Sequence, residues 1–185
     1  MARIQVIEEA SADGVLEDAY AEVRGRRGRV ANVFQGESLN PAAMRAHLAF
    51  YMAIMYGKSG LSRRQREVIA TTVSSANGCT YCTTHHSEAL SKYLKDDEAI
   101  RAIKTDYATA PIGPREKAML DYAVKVTKTP AAVNDADTSK LREAGFSDAD
   151  ILDITLVASY FNFVNRLVLS LGVELEEDAE RVYRY

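Results

Sequence analysis

Most of what would place this chain at a membrane, on nucleic acid or in an oxidising compartment is missing from its sequence. No run approaches the roughly 20 uninterrupted apolar residues that a membrane-spanning helix requires. The most apolar stretch, Ile151 to Leu171, is broken by Asp153, Asn162, Asn165 and Arg166. The start, Met1-Ala2-Arg3-Ile4-Gln5-Val6-Ile7-Glu8-Glu9, sets no apolar segment before its acids, so no secretory signal is expected. A net charge of −3 gives no electrostatic case for nucleic acid or an anionic membrane surface. The expected setting is therefore cytoplasmic, with neither nucleic acid nor membrane as a partner. Strand signals are weak throughout. Cysteine is the scarcest of the reactive residues, with two in 185.

Those two stand together as Cys79-Thr80-Tyr81-Cys82, with His86 following. In a reducing compartment such a close pair is more often catalytic or metal-binding than a structural staple. A staple is disfavoured further because closing so short a loop removes little chain entropy. Cys82 and His86 are four residues apart, one helical turn, which sets the imidazole over the thiol. A thiol needs a nearby base or positive field to become a thiolate at neutral pH. Zinc is a competing reading, with Cys79, Cys82, His86 and one of Glu67 or His85 as ligands. Structural zinc sites draw their second ligand pair from a distant segment, and none exists here because His47 is alone. No metal and no cofactor is expected.

Helix signals order the rest of the chain. Asn40-Pro41 reads as an N-cap followed by proline at the first helical position. The helix it opens places Met44, Leu48, Tyr51, Met52 and Met55 on one side and ends at Gly57. The methionines are expected as core or as a pocket lining. Ser62-Arg63-Arg64-Gln65 fits a capping box, and Asn77-Gly78 stops the helix it begins. A further helix starts near Cys79, a short one near Asp96-Asp97, and another at Pro114 runs to about Lys128. A short helix is expected over Thr138–Ala144, and a long one, capped by Ser147, over Asp148–Leu171. The tail from Glu174 to Tyr185 is charged, with an uncertain helical pattern. The fold class that follows is all-α, one compact domain over residues 1–185. Leu61–Glu67 and Ile112–Lys117 echo each other as helix openings after a break, a weak hint of internal helical duplication.

Counting from the Asn77-Gly78 turn, Glu67 lies about ten residues before it and His86 about eight after, a height difference of roughly 3 Å in an antiparallel hairpin. Glu67 can then reach one ring nitrogen of His86 and leave the other facing Cys82. The alternative is a solvated helix residue beside Arg63 and Arg64, and spacing leaves both readings open. The identity of the reactive sulfur also stays open. A helix N-terminus lowers the pKa of Cys79, whereas His86 argues for Cys82. His85 points about 100° away from His86, which makes a surface or interface role the default. Tyr81 suits a pocket wall or simple packing. Asn162, Asn165 and Arg166 suit a satisfied buried network better than a polar wall.

Glu67, Cys79, Cys82 and His86 in this spacing resemble the signature of the AhpD-like alkylhydroperoxidases, within the carboxymuconolactone decarboxylase superfamily. Leu61–Glu67, Asn77–Cys82 and Asn162–Arg166 are similar to its peroxidase-related branch. The likeness runs from about Asn32 to Val173, with the redox motif inside residues 61–95. The resemblance implies an AhpD-like helical bundle that assembles as a homo-oligomer, a trimer or hexamer. It implies that Cys82 attacks a small-molecule organic hydroperoxide and becomes a sulfenic acid. Cys79 then closes a disulfide, and an external thiol or dithiol reductant restores the pair. His86 and Glu67 would relay the proton that activates Cys82. One departure is Tyr81, where the best-studied members carry a second histidine before the second cysteine. Two other functions stay open: a dithiol–disulfide exchange module for a protein partner, and a lactone decarboxylase that does not depend on the cysteines.

Overall fold

The computed structural model describes residues 2–176, and among them every regular element is helical. The chain packs as two units, Met1–Ala53 with Arg166–Tyr185, and Ile54–Asn165. The division falls within two helices, α3 (Pro41–Tyr56) and α9 (Asp148–Leu171).

In the first unit, α1 (Gly14–Arg27) buries a narrow stripe of Leu16, Ala19, Tyr20, Val23 and Arg27. Gly28 ends it in the left-handed region, at φ 85°, which costs glycine no Cβ clash. A one-turn helix, α2 (Asn32–Gln35), follows. The N-terminal segment is tied down by polar contacts. Tyr20 Oη donates to Ile7 O at 2.6 Å, and Ile7 N donates to Ser38 Oγ at 3.0 Å. Arg3 caps the end of α9, its amide on Leu171 O at 2.6 Å and its guanidinium on Leu169 O at 2.6 Å. Carbonyls at a helix end have no partner within the helix, so a cation there is stabilising.

The second unit is built on α4 (Arg63–Ala76), which is buried from Arg66 to Ser74 without interruption. A helix covered on every face needs neighbours on several sides. α5 (Thr80–Ser91), α6 (Asp97–Thr105) and α7 (Pro114–Lys128) supply them, and α8 (Asp135–Glu143) packs on α7. The start of α4 carries the expected capping box, with Gln65 N on Ser62 Oγ at 3.2 Å and Ser62 N on Gln65 Oε1 at 2.9 Å. Arg64 binds Glu116 through two contacts of 2.5 and 3.0 Å, joining the two segments that echo each other in sequence.

One expectation needs correction here. The helix placed over Thr138–Ala144 begins earlier, at Asp135, because Asn134 and Asp137 form a capping box. By length and composition alone α9 is long and apolar enough to cross a membrane, while Asp153, Asn162, Asn165 and Arg166 interrupt it. Its face at Ile154, Val157, Ala158 and Phe161 is packed inside protein. Of the tail Glu174–Tyr185, the residues beyond Glu176 lie outside the described residues; Glu174 to Glu176 form no helix, and Glu176 Oε1 accepts from Asn32 N at 2.7 Å.

Candidate active site

The α4–α5 turn sets the cysteines. Asn77 ends α4, and Gly78 turns left-handed at φ 70°. Two bonds close the turn, Gly78 N to Ser75 O at 2.9 Å and Cys79 N to Ser74 O at 2.9 Å, the pattern of a Schellman motif. Cys79 becomes the N-cap of α5, and Cys82 lies in its first turn. Both thiols are free and buried, at 1% and 3% exposure.

The thiols lie near each other, and their acidities are driven apart. Cys79 is lowered to about 7, first by the Cys82 thiol; the Cys82 and Tyr81 amides and the Asn165 side chain add to this against the cost of burial. Cys82 is raised well above an ordinary thiol, by its bond to Cys79, by burial and by the Cys79 charge. The first proton therefore leaves Cys79. This is the direction that the helix-terminus argument expects for a thiol at the N-cap of α5.

Glu67 and His86 meet as the hairpin arithmetic expects. His86 Nδ1 lies 2.7 Å from Glu67 Oε2, and the Glu67 carboxylate is fully buried. The Phe161 ring stands edge-on to the imidazole, with centroids 4.5 Å apart. Burial lowers the His86 pKa, Glu67 opposes the shift, and His85 and Arg63 reinforce it. His86 is thus a neutral base. The other ring nitrogen was expected to face Cys82; among the described residues no hydrogen bond joins His86 to that thiol. Side chains lean toward a helix N-terminus, and the short Cys82 side chain reaches back to Cys79.

Two neighbours of the site were not assigned to it from sequence. Arg63, one turn before Glu67 on α4, places its guanidinium 2.6 Å from Glu67 Oε1. The i,i+4 spacing was the available signal. Asn165 is fully buried, and its side chain favours the charged form of both thiols. It belongs to the buried network expected for this segment. Asn77 Nδ2 donates to Asn162 Oδ1 and Asn165 Oδ1, each at 3.0 Å; Asn165 Nδ2 donates to Ser74 Oγ at 3.1 Å and Asn162 Nδ2 to Thr127 Oγ1 at 3.0 Å. Its bonds to Asn77 and Ser74 need α9 beside the α4–α5 turn, which local sequence does not carry. Arg166, the next residue, is exposed. His85 was expected at the surface; it is buried, edge-on to Tyr81 at 4.6 Å, so ring packing sets its place.

Among the described residues no group of three or more His, Cys, Asp or Glu is arranged to hold a metal ion. The arrangement offers a thiol pair that can lose two electrons and a carboxylate-held imidazole that can carry protons.

The family model of the carboxymuconolactone decarboxylase family matches residues 41–125, a stretch that holds Glu67, Cys79, Cys82 and His86. A peroxidase-related protein from Ralstonia eutropha JMP134, described as an alkylhydroperoxidase AhpD core, is 34% identical. The match covers 99% of this chain and 98% of that one, with a TM-score of 0.87. A peroxidase-related protein from Silicibacter sp. TM1040 is 30% identical over 100% of both chains, with a TM-score of 0.84. Among curated proteins, YdfG of Bacillus subtilis strain 168 is 27% identical over 116 residues, 62% of this chain and 78% of its own.

Proposed function

The chain belongs to the AhpD-like group of the carboxymuconolactone decarboxylase superfamily, and on that premise we propose that it is a thiol peroxidase reducing organic hydroperoxides. The observation that carries this reading is the closeness of its only two cysteines, both buried at the start of α5, on the helix that also carries the Glu67-held His86. In the resting pair Cys79 is the thiolate and Cys82 the thiol. Cys82 loses its proton to the His86–Glu67 relay and attacks the distal peroxide oxygen. The O–O bond breaks, Cys82 becomes a sulfenic acid, and the alkoxide takes that proton back from the relay to leave as alcohol. Cys79, still a thiolate, attacks the sulfenic sulfur. A disulfide forms, and the departing hydroxide takes a proton from solvent through His86 and Glu67 to leave as water. An external thiol or dithiol then reduces the disulfide. A homo-oligomer, trimer or hexamer, is part of the same proposal, and light scattering at micromolar concentration tests it.

One observation favours a second reading. A low-pKa thiol at the helix cap with a buried, raised partner is also the order that suits dithiol exchange with a protein. Single-turnover oxidation by stoichiometric cumene hydroperoxide separates the two. Peroxidase action removes two thiols and lowers the intact mass by about two hydrogens, reversibly with dithiothreitol. Thiols that survive the peroxide but exchange with a protein disulfide favour the module. Peroxide-independent lactone chemistry that survives replacement of both cysteines overturns both.

A further inference from the structure

We propose that Arg63 is a positioning residue of this site, fixing the Glu67 carboxylate against His86 and offsetting its charge. The inference rests on the reading of Glu67 and His86 as the proton relay. Glu67 has no solvent exposure, and only its Oε2 is spoken for, by His86. Oε1 accepts no hydrogen bond among the described residues. A buried carboxylate oxygen without a donor is costly unless a counter-charge stands beside it. Arg63 supplies that charge at 2.6 Å, as an ion pair rather than an aligned hydrogen bond.

Arg63 is itself held from two other sides. Its Nη1 donates to Met55 O at 2.5 Å, and its guanidinium lies 3.9 Å over the Tyr56 ring. A cation with three contacts loses little further freedom and cannot swing to solvent. The consequence falls on His86. Burial opposes a proton on the ring first, Glu67 favours it, and His85 and Arg63 add to the opposition. Without Arg63 the pair moves toward carboxylate and imidazolium, and an imidazolium accepts no proton. Arg63 therefore keeps the relay loaded with a base.

Arg66 provides the control. It donates to the same Met55 carbonyl at 2.7 Å and to Gly57 O at 2.9 Å, but its guanidinium contacts lie on the α3 end, not on Glu67. The experiment compares Arg63→Gln, which keeps a donor for Met55 and loses the charge, with Arg63→Lys and Arg66→Gln. The first readout is the histidine NMR titration of the reduced protein, His86 being assigned by its loss in His86→Gln. The second is the pH profile of peroxide reduction. Arg63→Gln is expected to raise the His86 titration by about one pH unit and slow peroxide reduction about tenfold at pH 7, with recovery at higher pH. Arg63→Lys is expected to restore most of both, and Arg66→Gln to leave the titration in place. An unchanged His86 titration in Arg63→Gln, or an equal shift in Arg66→Gln, overturns the proposal. The NMR titration reads out even in a protein that turns over no peroxide, so failure of the peroxidase reading and failure of the Arg63 role are separate results.

Discussion

The protein buries two carboxylate–histidine pairs of nearly equal geometry, one in each unit. Glu37 and His47 meet at 2.6 Å, and Glu67 and His86 at 2.7 Å. In both, one carboxylate oxygen accepts no hydrogen bond among the described residues. Both imidazoles touch a phenylalanine ring, Phe34 for His47 and Phe161 for His86. Their surroundings differ. Glu67 has Arg63 on its second oxygen, and His86 stands one turn from a thiol on α5. The only two cysteines lie in the second unit, far in sequence from His47. A buried carboxylate–imidazole pair is thus not by itself a functional site. It joins fold to chemistry only where a group that must gain or lose a proton stands within reach.

Breaking each pair should give opposite profiles. His86→Ala is expected to slow peroxide reduction about 10²-fold. His47→Ala should leave the rate within about twofold and cost roughly 3–5 kcal/mol of stability, because it strands a buried carboxylate. Peroxide consumption and urea unfolding of both variants measure the contrast, and equal losses of activity would erase it. Within the second unit, Glu67→Gln combined with His86→Ala should be little worse than the poorer single variant, since the two act as one unit. Rates that multiply would detach Glu67 from His86.

The thiol order sharpens the comparison from the chemical side. Thiolate absorbance should show one thiol titrating near 7 and the other well above the ordinary thiol value of 9.0. Cys79→Ser should remove the low step. The sign for activity follows: with the pair as the acid-limiting group, peroxide reduction falls as pH drops through about 7. His86, lowered below its ordinary 6.5, stays neutral through that range and does not set the limb. A profile flat from pH 8 to 6 contradicts this order. The smallest expected effect compares two glycines. Gly78→Ala, at φ 70° with nothing near an added Cβ, should cost about 1–2 kcal/mol through backbone strain alone. Gly25→Ala, inside α1 with nothing near an added Cβ, should stabilise by about 0.5–1 kcal/mol. Thermal melts of the two variants should move in opposite directions.

Much of this organisation is legible in the chain. Asn40-Pro41, the Ser62–Gln65 box, Asn77-Gly78, Pro114 and Ser147 each mark a helix boundary that the structure shares. The Glu67–His86 approach follows from counting residues across one short turn. Other features are silent for physical reasons. α1 shows little amphipathic pattern, because its buried stripe includes Ala19 and the long stem of Arg27 among mostly polar neighbours. α2 is a single turn. The order of the two thiols depends on which one receives the free amides and Asn165, and that is decided by three-dimensional placement. The alternative reading of Glu67 as a solvated residue fails because α4 is covered on every face, a property set by its partners.

The burial of both sulfurs has a kinetic consequence. At 1% and 3% exposure, neither Cys79 nor Cys82 presents a surface that a bulky reagent can meet. Any thiol reagent larger than a few atoms is expected to wait for the start of α5 to open. The observed rate is then the opening equilibrium multiplied by the intrinsic exchange rate, as in amide hydrogen exchange. The turn at Gly78, with Cys79 N tied to Ser74 O, is the latch on that opening. A thiol-alkylating reagent should therefore act as a gauge of local unfolding in the reduced protein. Its rate should rise with urea well below the global transition and level off at high reagent, where opening alone sets the pace.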